Sequence, residues 1–235
     1  MKNILKIFAL GLVVLFAATA SNAQKVHVNH FDKVVVNPDI EVVFVHGSEE
    51  SVNIKRSFID EDKIQIKVEN NSLKLSIEGR NLDKNYKHNG TKAYLVVTYR
   101  DLEEVVLKGD QDVLFENKLV ARDFEINIYG DSEVTMNEVD IDFMETNIYG
   151  DHTLRIKSGN INNHDYTVFG DCDVNTMNVD NDVTKLVIFG DASFDIHVNE
   201  LLKIKTLGDA DVTYSGNPKI SKGLSLGDTS IRRAR

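Results

Sequence analysis

Cysteine is all but missing from this sequence. Cys172 is the only one, which excludes an intrachain disulfide and leaves stability to a hydrophobic core and backbone ladders. Proline is nearly as scarce, with only Pro38 and Pro218, so no proline-rich linker divides the chain. Beyond residue 23 the sequence has no helical periodicity and no run apolar enough to span a bilayer. Positive charge is in deficit: 27 Lys and Arg stand against 37 Asp and Glu, a net charge of −10. Such a surface repels nucleic acid and anionic lipid, which argues against both as partners. Catalytic signatures are lacking too. No Gly-x-Ser-x-Gly, His-Glu-x-x-His or phosphate-cradling loop occurs, and the seven histidines show no metal-ligand spacing. The expectation is a protein that is not an enzyme and needs no cofactor.

What is present begins with a leader. Lys2 and Lys6 precede an apolar run from Ile7 to Ala18, and Ser21-Asn22-Ala23 supplies a small-x-small cleavage site. The run is short for a membrane anchor of ~20 residues, so residues 1–23 read as a signal peptide. No cysteine lies near the site to carry a lipid. Cleavage removes two lysines and moves the net charge from −10 to −12. The remaining residues, 24–235, are enough for one domain with a sizeable core. The protein is expected to be exported, to the periplasm, the cell surface or the medium.

From Phe31 to Tyr99 apolar and polar residues alternate at the period of a half-buried strand. The expected strands are Lys33–Val36, Ile40–His46, Ser51–Arg56, Lys63–Glu69, Ser72–Glu78 and Lys92–Tyr99. Asn70-Asn71-Ser72 reads as a hairpin turn, because Asn tolerates positive φ. Arg80 to Gly90 is charged and aperiodic, and is expected to be a projecting loop.

A repeat then takes over. Gly-Asp recurs at Gly109-Asp110, Gly130-Asp131, Gly150-Asp151, Gly170-Asp171, Gly190-Asp191, Gly208-Asp209 and Gly227-Asp228, in steps of 21, 20, 20, 20, 18 and 19 residues. A fixed period near 20 marks a solenoid, in which each repeat stacks on its neighbours. Two positions before each Gly and four after it, apolar residues line up: Ile128 with Val134, Ile148 with Leu154, Val168 with Val174, Ile188 with Phe194. Such columns suit the inside of a parallel β-helix, whose crossovers are expected to be right-handed. An antiparallel sandwich gives no reason for a constant period. The fold class read from this pattern is all-β, a right-handed parallel β-helix or solenoid. Its repeats are most regular over 105–231, and the N-terminal β segment continues or caps it.

The chain resembles the bacterial head GIN domain family (DUF2807), whose members are described as autotransporter-adhesin heads. The resemblance spans roughly residues 31–235 and rests on Phe31-Asp32-Lys33-Val34-Val35-Val36, the ladder of turns, and Tyr214-Ser215-Gly216-Asn217-Pro218. That family's turn is usually Gly-Ser-Gly. Here the first Gly is kept, the Ser is Asp, and the second Gly becomes Gln111, Ser132, His152, Cys172, Ala192, Ala210 or Thr229. The resemblance implies an exported β-helical protein with an adhesive role and no enzyme activity.

Two surface columns are candidate sites. The seven aspartates of the turns would stack, and two charges ~4.8 Å apart in water repel by about 0.9 kcal/mol. Either each carboxylate accepts hydrogen bonds from turn N–H groups, or a cation such as calcium sits among them. Asp171 with Asp173 is the nearest approach to a calcium pair. The second column is Tyr129, Tyr149, Phe169 and Phe189, directly before four consecutive glycines. Exposed, it would be an apolar strip suited to sugar rings or another protein face. Periodicity does not fix the direction of a corner residue, and the reading preferred at this stage folds these rings inward. A surface glycan or another envelope protein is the expected partner, and a periplasmic carbohydrate-active β-helix is the alternative.

Overall fold

The computed structural model describes residues 25–79 and 90–234. The expected signal peptide and all but Gly90 of the expected Arg80–Gly90 loop lie outside the described residues. The rest is almost entirely strand. The N-terminal part contains β1 (Lys25–His27), β2 (Lys33–Val36), β3 (Ile40–His46), β4 (Ser51–Ser57), β5 (Ile64–Glu69), β6 (Ser72–Ile77) and β7 (Ala93–Tyr99). The repeats supply β8 (Glu104–Lys108), β9 (Asp112–Phe115), β10 (Leu119–Tyr129), β11 (Ser132–Met136), β12 (Val139–Tyr149), β13 (His152–Ile156) and β14 (Gly159–Phe169). They continue through β15 (Cys172–Thr176), β16 (Val179–Phe189), β17 (Ala192–His197), β18 (Leu201–Leu207), β19 (Ala210–Ser215), β20 (Lys219–Leu226) and β21 (Thr229–Arg233). The strands expected from alternation before Tyr99 agree with these bounds to within one residue.

Two parallel sheets face each other across one core. One runs β3-β9-β11-β13-β15-β17-β19-β21, the other β2-β8-β10-β12-β14-β16-β18-β20, so each coil gives one strand to each sheet. Register is nearly unbroken: Ile128 pairs with Ile148, Ile148 with Val168 and Val168 with Ile188. The apolar columns read from the sequence are the core. Ile126, Ile128, Val134, Met136, Leu154, Val168 and Phe194 are all fully buried. Each such aliphatic contributes about 1.5–3 kcal/mol, against roughly 1 kcal/mol for a turn hydrogen bond. The columns therefore set the register, and the turns follow it.

The N-terminal segment both continues and caps the stack. β2 and β3 form a coil next to β8 and β9, and β6 and β7 form another on the far side of it, out of chain order. Beyond that coil the sheets end in antiparallel strands, β5 on β6, and β4 on β7 with β1 outside it. The β5–β6 hairpin turns at Asn70 and Asn71, whose φ values are 51° and 58°, as their residue type allows. The other end carries no such cover among the described residues. β20 and β21 are last in their sheets, and Leu224 and Leu226 are more than half exposed.

Inside the coils a polar island interrupts the apolar columns. His164 stands in register with Met144 and Thr184, fully buried, with its Nε2 2.9 Å from Thr146 Oγ1 and its ring 3.8 Å from that of Tyr166. Thr184 donates to Asn181 Oδ1 at 2.6 Å, and Asn181 Nδ2 donates to the Ile161 carbonyl at 2.7 Å. Burial pushes the His164 imidazole down to about 3, so it is neutral at every ordinary pH.

Candidate functional site

The corner before each Gly decides where the aromatic column points. β10, β12, β14 and β16 alternate inward and outward up to their last residue, and the parity of that residue is outward. Tyr129, Tyr149 and Phe169 are 42%, 38% and 41% exposed, and Phe189 is partly so. The preferred reading, which folded these rings inward at the corner, is thereby corrected: the Gly turn comes one residue too late to tuck the ring inside. The rings stack face to face, with centroids 4.9, 5.3 and 4.5 Å apart and planes within 6°, 4° and 1° of parallel. Leu207 and Leu226 prolong the strip, also exposed. Lys108 pairs with Tyr129 at its other end.

Beside the strip run two more outward columns on the same sheet. Glu104, Glu125, Glu145, Asp165, Lys185 and Lys203 form one, and Asn127, Asn147, Thr167, Val187 and Lys205 the other. The asparagines tie the carboxylates together. Asn127 Nδ2 donates to Glu125 Oε1 at 2.7 Å, and Asn147 Nδ2 donates to Asn127 Oδ1 and Glu145 Oε1, each at 3.1 Å. Lys33 holds Glu104 at 2.6 Å, and Lys185 holds Asp165 at 3.0 Å. Sequence reading missed this arrangement, although the Glu-x-Asn spacing repeats in two successive coils.

Around the corner lies the aspartate ladder. The backbone N–H of Asp131 donates to Asp110 Oδ1 at 3.3 Å, that of Asp151 to Asp131 at 3.4 Å, and that of Asp228 to Asp209 at 2.9 Å. The donor comes from the next coil rather than from the carboxylate's own turn, as an Asx-turn would have it. Each such bond sets a partial positive charge against the repulsion between neighbouring carboxylates. The ladder lines one side of a groove of about 1020 Å³, with Asp112, Glu133, Asp173 and Asp211 on the other. Among the described residues no three His, Cys, Asp or Glu converge as metal ligands, the Asp171–Asp173 neighbourhood included. The melting temperature is accordingly expected to be the same in chelator and in millimolar calcium, and a calcium-dependent rise would contradict this.

The variable residue after Gly-Asp points inward. Gln111, Ser132, His152, Cys172, Ala192 and Ala210 are all buried and form a third interior column. Their parity with the apolar residue two positions later was the available signal. His152 Nδ1 accepts from the Ser132 N–H at 3.0 Å, and burial lowers its pKa. The Cys172 thiol is pushed up to about 12 by burial, with Asp173 and Asp171 adding to it. Without a thiolate it is no nucleophile.

A third feature lies on the opposite sheet, where Val43, Val96 and Leu114 line a shallow apolar groove of about 580 Å³ flanked by Glu41 and Lys55.

A stacked β-helix with a solvent-facing ladder has known counterparts. The model of the family described as "Putative auto-transporter adhesin, head GIN domain" matches residues 30–218, four-fifths of the chain. This chain belongs to the head GIN domain family. The match ends at Pro218, short of the last coil that the sequence resemblance had included. Among solved structures, one described as a "putative adhesin" from Bacteroides fragilis is similar at TM-score 0.71 and 21% identity, covering 90% of this chain and 96% of its own. A "putative adhesin" from Parabacteroides merdae is similar at 0.66 and 17%, covering 91% and 95%. A "putative lipid binding protein" from Parabacteroides distasonis is similar at 0.66 and 15%, covering 91% and 96%. At these identities the likeness is one of fold. No curated protein matches the sequence. As a GIN domain, the chain shares its coil with proteins described both as adhesins and as lipid-binding, so its own surface must indicate its role.

Proposed function

We propose that this GIN domain is a non-catalytic, exported adhesion module whose contact face is the outer side of the sheet bearing the aromatic strip. The observation that carries this is the row of four parallel rings held in solvent over four consecutive coils. A core does not need them there, and a soluble surface ordinarily scatters its large apolar groups singly. Aromatic side chains give large contact area at low entropic cost, which suits a recognition face. Carboxylates repeat along the stack rather than converging, His164 and Cys172 are buried, and the role proposed is therefore binding. The leader read at residues 1–23 and the family's description support placement at the cell envelope or outside it.

The test is replacement of Tyr149 and Phe169 by serine. Each broken ring contact costs about 0.5–1.5 kcal/mol, so the double variant is expected to remain folded but less stable. Attachment of protein-coated beads to bacterial cells is expected to fall at least tenfold, about 1.4 kcal/mol of binding. Unchanged attachment by the folded variant would remove the strip from the function.

A further inference from the structure

The face proposed above as the contact surface carries a charge gradient as well as rings. Along one outward column the order is Glu104, Glu125, Glu145, Asp165, Lys185, Lys203, and Lys205 stands beside the last in the neighbouring column. Lys203 and Lys205 have no ion-pair partner among the described residues, and Glu125 is met only by asparagine amides. Neighbouring rings lie within 6° of parallel from Tyr129 to Phe189, so the face is flat from β10 to β16. A flat face that is acidic at one end, basic at the other and apolar along one margin is complementary to itself when turned end for end.

We propose that this face docks a second copy of the chain, antiparallel, about a two-fold axis that lies along β14. The axis puts Asp165, Thr167 and Phe169 opposite their own counterparts, and the like charges of the two Asp165 carboxylates are offset by the Lys185 that each holds at 3.0 Å within its own copy. One coil away, Glu145 meets Lys185 and Tyr149 meets Phe189 of the second copy. Two coils away, Glu125 meets Lys203 and Tyr129 meets Leu207. Every column faces its own equivalent, as an isologous interface requires. The parallel alternative, with the axis along the stack, sets carboxylates over rings and pairs no charges. A neutral glycan has no use for the gradient, and an acidic one is repelled by the Glu125 end. The face measures roughly 29 Å over six steps of ~4.8 Å and roughly 20 Å along the strands, about 580 Å² per copy. That is below the ~800 Å² per partner of a standard interface, so the dimer is weak and forms at high local concentration. Weak pairing of many copies crowded on one surface is how avidity accumulates.

This inference rests on the contact face named above, and sedimentation velocity separates the two. The mature chain is expected to shift from monomer to dimer as concentration rises about a thousandfold through the micromolar range, less so in high salt. Lys203→Glu and Glu125→Lys are each expected to weaken pairing at least tenfold, about 1.4 kcal/mol, and the double variant to restore it. A monomer at every concentration, or a double variant no tighter than either single one, overturns the proposal. If the strip variant loses attachment while the wild type stays monomeric, the contact face stands and its occupant is not a second copy. Should Glu125→Lys fail to fold, Thr167→Cys gives an independent readout. On the axis, two facing thiols oxidised by copper–phenanthroline join the copies through a disulfide, whereas Val43→Cys on the opposite sheet does not. Equal cross-linking of the two variants overturns the register.

Discussion

Gly150→Ala is expected to destabilise the protein by about 4 kcal/mol, measured as the shift of the urea midpoint at constant slope. Two costs add at this position. Gly150 has φ of +128°, in a region that side-chain-bearing residues rarely enter. A Cβ placed there would also stand 2.5 Å from the carbonyl oxygen of Gly130 in the neighbouring coil. The neighbour cannot yield, because it is backbone held in the same ladder: the Gly130 N–H donates to the Tyr149 carbonyl at 3.0 Å. The glycine is thus required twice, for the sense of the turn and for the distance between coils. Asp151→Ala, one residue on, removes only an exposed carboxylate and is expected to cost under about 1 kcal/mol. If the glycine and aspartate variants cost the same, neither the positive φ nor the close approach of the coils is what requires glycine here.

His164→Met is expected to reverse the order of stability between neutral and acid pH. The folded pKa lies at about 3 and the unfolded value near 6.5, so between these pH values the unfolded chain binds the extra proton. Stability due to this group is complete above pH 6.5 and is lost as pH falls toward 3, by up to about 5 kcal/mol in all. At pH 8 the variant gives up the Thr146 hydrogen bond and the contact with Tyr166, roughly 1–2 kcal/mol. At pH 4 the wild type has lost about 3 kcal/mol that the variant never had to lose, so the variant becomes the more stable. Denaturation at both pH values cancels the many carboxylates common to the two proteins. Methionine suits the site because Met144 occupies the same column one coil before. Parallel pH profiles for the two proteins would mean that His164 is hydrated when folded.

Much of this fold is legible in the sequence. A period near 20 with fixed apolar offsets admits few architectures, and Ile128, Val134, Ile148 and Leu154 were placed on the inner face correctly. Strand alternation fixes such residues because one shift in register would expose a whole column. Corners are different. At Tyr149 strand parity points the ring outward, but the glycine turn begins at the next residue and could reverse it, so the position of the turn decides the direction. The inward column through His152 and Cys172 escaped notice for a related reason. Its residues differ in type from coil to coil, and a column visible only by position carries no compositional signal. His164 and Thr184 are polar residues at core positions, legible as core by parity but not by chemistry. The self-complementarity of the outer face needed register, since Glu125 and Lys203 lie far apart in sequence and are related only through the stack.

The central claim is that the aromatic strip is a contact face. Hydroxyl-radical footprinting reads it most directly, comparing dilute protein, concentrated protein and protein adsorbed to intact bacterial cells. Oxidation of Tyr129, Tyr149 and Phe169 is expected to drop on association, while Phe58, exposed beyond the end of β4, stays as reactive as before. Strip residues equally oxidised in all three conditions, or protection centred on Val43, Val96 and Leu114 of the opposite sheet, would contradict the account.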